Sequence, residues 1–238
     1  MPRLLVTRPR DDAEALARRL DTLGVETLIE PLLTIEFRSG VNVRLDGAQA
    51  VLATSANGVR ALAALTTRRD VPVFAVGPTS ARTARDLGFK AVESADGAVD
   101  DLAWLVTTRL DPKQGALVHV AGSELAGDLA GHLEARGFEY RRAALYDARP
   151  VTALTDAARQ ALAEGSLAGA LFFSPRTART FVSVIQRHGL EPACAGLIAF
   201  CLSTAIAEVA GTIRWRLAHV TKRPDEDSAI AAVEAWLG

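Results

Sequence analysis

Cysteine is nearly absent: the 238-residue chain has two, Cys194 and Cys201. Neither C-x-x-C spacing nor a nearby histidine accompanies them, so the sequence offers no zinc site and no disulfide framework, and it fits a reducing cytosol. A surplus of charge of one sign is absent too. Lys plus Arg number 27 against 28 for Asp plus Glu, so no overall field draws the chain to DNA or to an acidic membrane surface, and an anionic ligand must be attracted locally. No apolar run approaches the roughly 20 residues of a membrane-spanning helix. The opening MPRLLVTRPRDD reaches charge too soon to hold the apolar segment of a secretory signal. The expectation is a cytoplasmic protein with neither membrane nor nucleic acid as partner.

Several signatures of known chemistries are also missing. There is no G-x-G-x-x-G, and the one Walker-like stretch, GSELAGDL at 122–129, has Asp128 where a phosphate-binding lysine is needed. H-E-x-x-H, G-x-S-x-G and calcium-loop patterns are absent, which removes zincins, α/β-hydrolases and EF-hands from the candidates.

What is present is a regular alternation. At 49% hydrophobic and 23% charged, the chain can bury a sizeable core, and its length allows one domain or two. Short apolar runs alternate with amphipathic segments: LLVT then DDAEALARRLDTLG, AVLAT then ANGVRALAAL, VFAV then TSARTARDLG. Runs this short and uninterrupted suit strands covered on both faces, and the alternation predicts an α/β fold with parallel sheets flanked by helices. Asp11 and Glu14 form a D-x-x-E helix-start signal, and Gly24 is placed to end that helix in the left-handed conformation.

The chain also repeats itself. At one constant offset Leu4, Leu16, Ala17, Leu20, Gly24 and Glu26 recur as Leu117, Leu129, Ala130, Leu133, Gly137 and Glu139. TSANGVRAL at 54–62 answers FSPRTARTF at 173–181, and FAVGPTSA at 74–81 answers IAFCLSTA at 198–205. A duplicated pair of α/β units is the simplest account. The extended segments PLLTIEF (31–37) and ALYDARP (144–150) can run side by side as a two-strand connection. Residues 1–35 would then join 151–238 in one discontinuous domain and 40–143 would form the other; a simple halving of the chain fits the pattern equally.

In open parallel sheets ligands collect beyond the carboxyl ends of the strands, where helix N-termini present unpaired N–H groups. Here those ends read Thr7-Arg8-Pro9, Thr54-Ser55-Ala56-Asn57, Gly77-Pro78-Thr79-Ser80, Gly122-Ser123, Ser174-Pro175-Arg176-Thr177 and Leu202-Ser203-Thr204. Each offers a hydroxyl. Serine and threonine are also preferred N-caps, so capping alone accounts for any single one; the whole set pointing to one region indicates an anion site.

In order and spacing, LLVTRP, TSANGVRAL, VFAVGPTSA, LYDARP, FFSPRTARTF and the late STA resemble the uroporphyrinogen-III synthase family of haem biosynthesis, over Leu4 to about Trp236. The resemblance implies two α/β domains joined by a two-strand antiparallel linker (36–39 and 144–150), the exchanged arrangement, with the active site in the cleft between them. It implies a lyase without metal or organic cofactor that acts on hydroxymethylbilane, a linear tetrapyrrole with eight carboxylates. Ring closure proceeds with loss of water and inversion of ring D, through an azafulvene and a spiro intermediate. It also implies Tyr146 as the catalytic residue, its phenol hydrogen-bonding to the departing hydroxyl of ring A, because phenols titrate near about 10 and stay protonated at neutral pH. The substrate-binding set it implies is Thr7, Arg8, Ser55, Ala56, Asn57, Ser80, Ser174, Arg176, Thr177 and Thr204. Arg8 offers a bidentate fork, and Pro175 has no N–H, leaving Arg176 and Thr177 as backbone donors. Cys201 stands where the family often has glycine.

Residues outside the resemblance are read as packing: His119 as a satisfied core residue, His132, His188 and His219 as helix or edge positions, and Trp104, Trp215 and Trp236 as packed. A monomer is expected because neither half shows a surplus apolar face. Two other classes compete: a non-catalytic two-domain anion sensor using the same loops, and a phosphoryl- or nucleotide-handling enzyme, which the missing glycine and lysine signatures disfavour.

Overall fold

Strands and helices alternate through the chain in the order the hydrophobic pattern predicts. The computed structural model describes residues 1–125 and 127–238; Ala126, in the Walker-like stretch, lies outside them. The first part runs β1 (Arg3–Val6), α1 (Arg10–Asp21), β2 (Glu26–Ile29), β3 (Leu33–Phe37), β4 (Ala48–Ala53), α2 (Ala56–Leu65), β5 (Val73–Ala75), α3 (Pro78–Asp86), β6 (Val92–Ser94) and α4 (Val99–Arg109). It continues with β7 (Ala116–Gly122), α5 (Leu129–Glu134), β8 (Tyr140–Pro150), α6 (Asp156–Ala163), β9 (Gly169–Phe172), α7 (Pro175–Arg187), α8 (Glu191–Cys194), β10 (Ile198–Cys201), α9 (Thr204–Ala210), β11 (Leu217–Val220) and α10 (Glu226–Leu237).

The strands form two sheets, one ordered β11-β10-β9-β1-β2 and the other β3-β8-β7-β4-β5-β6. Contacts divide the chain into a first unit, Met1–Thr34 with Arg149–Gly238, and a second, Ile35–Ala148. Within the first, β1, β2, β9, β10 and β11 pair in parallel; within the second, β4 to β8 do the same. Strands β3 and β8 are neighbours in the six-stranded sheet, with the Arg38 N–H donating to the Leu145 carbonyl at 2.9 Å and the Val151 N–H to the Leu32 carbonyl at 3.1 Å.

The internal repeat survives at the level of register. Leu4 pairs with Thr27 as Leu117 pairs with Tyr140, and Leu4 pairs with Gly169 as Leu117 pairs with Ala50. The order β11-β10-β9-β1-β2 is thus reproduced as β6-β5-β4-β7-β8. The repeat glycines do the same job in both copies. Gly24 and Gly137 have φ of 73° and 83°, and each ends its helix with paired bonds, Val25 to Leu20 and Gly24 to Asp21, Phe138 to Leu133 and Gly137 to Glu134.

Three expectations need correction. Helix α1 starts at Arg10 with Pro9 as N-cap and no side-chain cap bond, so Asp11 does not open a capping box. Asp11 and Asp12 instead lie in the first turn, where the helix dipole favours them. The match of FAVGPTSA to IAFCLSTA is out by two residues: Val73 pairs with Val51 as Ala199 pairs with Ala170, which aligns the N-cap Gly77 with the N-cap Ser203 and Ser80 with Ile206. Cys201 therefore corresponds to Ala75, inside the strand, and not to Gly77. Finally, Trp104 is 65% exposed. Trp215 packs on Phe172 and Phe181, and Trp236 on Phe200, as expected.

Burial follows strand alternation. In the second unit Val51, Ala53, Val118 and Val120 face α2 residues Val59 and Leu62, while Ala50, Leu52 and Leu117 face Leu102 and Val106 of α4 and Leu133 of α5. Helix α2 lies so close to β7 that a Cβ on Gly58 would fall 2.4 Å from the Val120 carbonyl oxygen. That close approach fixes the height of the loop before α2.

Candidate active site

Each unit is doubly wound, so each has a point where the strand order reverses and the loops diverge, the place where such sheets form a crevice. In the first unit it falls between β1 and β9, and the Thr7 and Ser174 loops meet there. Thr7 is fully buried and its hydroxyl donates to the Leu171 carbonyl at 2.6 Å, tying the ends of β1 and β9 together. In the second unit the reversal falls between β4 and β7, at the Ser55 and Gly122-Ser123 loops.

The serines at these junctions are N-caps. Ser55 Oγ accepts from the Asn57 N–H and Ser174 Oγ from the Thr177 N–H, each at 3.1 Å. Ser174 and Thr177 also bond through their hydroxyls at 2.8 Å. Thr177, expected as a backbone donor, thus has its N–H engaged in the cap. Asn57 is buried and its Oδ1 accepts from the Arg60 guanidinium at 3.0 Å; Ala56 is buried at the first position of α2. Ser80 is buried in the first turn of α3, and Thr204, first residue of α9, is exposed. Arg176 is half-buried in the first turn of α7.

Arg8 is held within its own unit. Its guanidinium bonds the Glu226 carboxylate at 2.6 Å, lies 3.6 Å from Asp12 and sits over the Phe173 ring at 4.4 Å. Glu226 also receives Arg19 at 2.7 Å. A ligand carboxylate would have to compete with Glu226 for Arg8, so the structure points to Arg8 as the anchor of the loop after β1.

Tyr146 lies in β8 and is 9% exposed. Its carbonyl accepts from the Ser123 N–H at 2.9 Å, and its ring covers Gly122 so closely that a Cβ there would come within 3.0 Å of it. The absence of a side chain at Gly122 is what lets the ring lie against the end of β7. Reading the sequence as strands and loops could not show this, because the pairing of Gly122 with Tyr146 follows a register shift after Ala121.

Both thiols are buried, and burial pushes each up to about 12, so neither is a nucleophile at neutral pH. Among the described residues no helix is long and apolar enough to cross a membrane.

Two doubly wound α/β units with the same strand order, each with hydroxyl-bearing helix starts beyond its strand ends, define a duplicated α/β protein. The uroporphyrinogen-III synthase HemD family model matches residues 14–231, and the chain belongs to that family. It is accordingly a lyase of haem biosynthesis that cyclises hydroxymethylbilane, a small-molecule substrate, to uroporphyrinogen III with loss of water and inversion of ring D. Solved structures show the same fold. Uroporphyrinogen-III synthetase from Helicobacter pylori is similar with a TM-score of 0.65 at 16% identity, over 99% of this chain and 100% of that one. A mutant uroporphyrinogen III synthase from the extremely thermophilic bacterium Thermus thermophilus is similar with a TM-score of 0.55 at 18% identity, over 100% of this chain and 99% of that one. No curated protein sequence matches the chain.

Proposed function

We propose that the two units are the family's two domains, with β3 and β8 as the linker, and that loops of each bind carboxylates of hydroxymethylbilane. The observation that carries this reading is the equivalence of Ser55 and Ser174: each caps the helix at the strand-order reversal of its unit. Uncatalysed closure of the bilane already yields the uninverted isomer, so what the protein must supply is positioning of a flexible chain. Helix N-termini suit that task because their N–H groups and dipoles hold carboxylates without moving protons.

In this reading Ser55, Ala56, Asn57 and Ser80 in the second unit, and Ser174, Arg176, Thr177 and Thr204 in the first, form the substrate-binding set. Thr7 and Arg8 shape the loop after β1 through Leu171 and Glu226. The Tyr146 phenol donates to the ring A hydroxyl as its C–O bond breaks; water leaves, and ring D attacks the resulting azafulvene through its substituted carbon. The spiro intermediate so formed opens and recloses with ring D inverted. The protein works as a cytoplasmic monomer, with neither membrane nor nucleic acid as partner and with no metal or organic cofactor. No observation favours the non-catalytic sensor module.

The loop assignment is tested by kinetics on Asn57→Ala and Arg176→Ala. Each is expected to raise KM for hydroxymethylbilane about 10-fold, the size of one lost charge-assisted hydrogen bond. An unchanged KM in both variants would place the substrate elsewhere.

A further inference from the structure

Three polar side chains in the second unit have no part in that scheme. Thr54 Oγ1 lies 2.9 Å from His119 Nε2, and His119 Nδ1 lies 2.5 Å from the Tyr140 hydroxyl. They come from the end of β4, from β7 and from β8, three neighbouring strands. The pairings Leu52 with His119 and Leu117 with Tyr140 put the three on one face of the sheet. His119 is 2% exposed.

The first unit serves as an internal control. Its matching register places Val6 where His119 stands, Thr27 where Tyr140 stands and Phe173 where Thr54 stands. Val6 is fully buried. The same sheet therefore forms with an apolar side chain at the His119 position, and an imidazole there carries a desolvation cost that the fold does not require. Thr54, moreover, is the residue immediately before the N-cap Ser55.

The direction of the two hydrogen bonds follows from protonation. Burial pushes the Tyr140 phenol up to about 12, so it keeps its proton. Burial, aided by the charge of Arg142, pushes His119 down to about 4, so its ring is neutral and carries one N–H. A protonated phenol is the better donor of that pair, which makes His119 Nδ1 the acceptor and leaves the hydrogen on Nε2. Nε2–H then donates to Thr54 Oγ1, and the hydroxyl hydrogen of Thr54 is turned away from His119.

We propose that Tyr140 and His119 are positioning residues that fix the Thr54 hydroxyl as a hydrogen-bond donor to a substrate carboxylate at the Ser55 loop. The inference rests on the reading of that loop as a substrate site. Unlike the helix N–H groups, this donor is set by a side-chain chain that the first unit lacks at the matching positions, so it distinguishes the Ser55 loop from its repeat counterpart, the Ser174 loop.

Thr54→Val, nearly isosteric, is expected to raise KM for hydroxymethylbilane about 10-fold with kcat within about twofold, and Thr54→Ser to restore it. Tyr140→Phe is expected to raise KM about threefold, and the Tyr140→Phe, Thr54→Val double variant to be no worse than Thr54→Val alone, because both act through one hydroxyl. Nitrogen-15 NMR of the imidazole should show the Nε2–H tautomer. An Nδ1–H tautomer, additive single effects, or an unchanged KM in Thr54→Val would each overturn the proposal. If Asn57→Ala raises KM while Thr54→Val does not, only this inference falls; if neither does, the loop reading falls with it. Should Thr54→Val fail to fold, Thr54→Ala with the tautomer measurement decides.

Discussion

Tyr146→Phe is expected to lower kcat about 100-fold, within the range for removing a positioned proton donor, while KM changes little. The aromatic residue keeps two of its contacts in this variant. It lies on Gly122, and its backbone carbonyl still accepts from Ser123. Thermal stability should therefore drop much less than turnover. Parallel measurements of kcat and of the unfolding midpoint separate the two effects; a variant that turns over at the wild-type rate removes Tyr146 from the chemistry.

Acid should destabilise the second unit through one histidine. His119 is pushed down from 6.5 to about 4 by burial and by the nearby charge of Arg142. In the unfolded chain it takes up a proton below about 6.5, whereas the folded protein resists until about pH 4, so between those values the unfolded state binds more protons. The stability that a neutral His119 confers is fully present above about pH 6.5 and is lost as pH falls towards about 4. The loss is on the order of 3 kcal/mol. Tyr140 and Thr54 bond the ring directly, and Glu134 and Asp128 act on the adjacent Tyr140. His119→Val, which copies the Val6 solution of the first unit, should remove this part of the acid sensitivity. Denaturant unfolding of both proteins at about pH 7 and about pH 4.5 gives the comparison, and parallel losses in the two would show that His119 is not responsible.

Much of the architecture is legible in the sequence because the physical signals are local. Short apolar runs bracket each helix, and Gly24 and Gly137 mark helix ends that require a positive φ. The Ser55 and Ser174 caps can be read for the same reason, since each precedes its own helix by one residue. The signal fails where two adjacent residues could do one job. TSA at 79–81 and STA at 203–205 each hold two adjacent hydroxyls, and matching them to one another instead of the N-cap Gly77 to the N-cap Ser203 shifts the repeat by two residues and puts Cys201 in a loop. Pro9 hides the true start of α1, because a proline N-cap makes no side-chain bond to announce itself. The Thr54–His119–Tyr140 chain is invisible for a different reason: its members lie far apart in sequence and meet only through the parallel pairing of β4, β7 and β8. Arg8 looks like a ligand-binding cation because its partner Glu226 is at the other end of the chain.

The central claim is that this chain directs how the last pyrrole of the bilane is joined. Hydroxymethylbilane generated in situ, incubated with the protein, oxidised and separated by chromatography tests it most directly. The account predicts the type III porphyrin as the main product, formed well above the uncatalysed rate of closure. Type I porphyrin alone, appearing at the rate seen without protein, would contradict it.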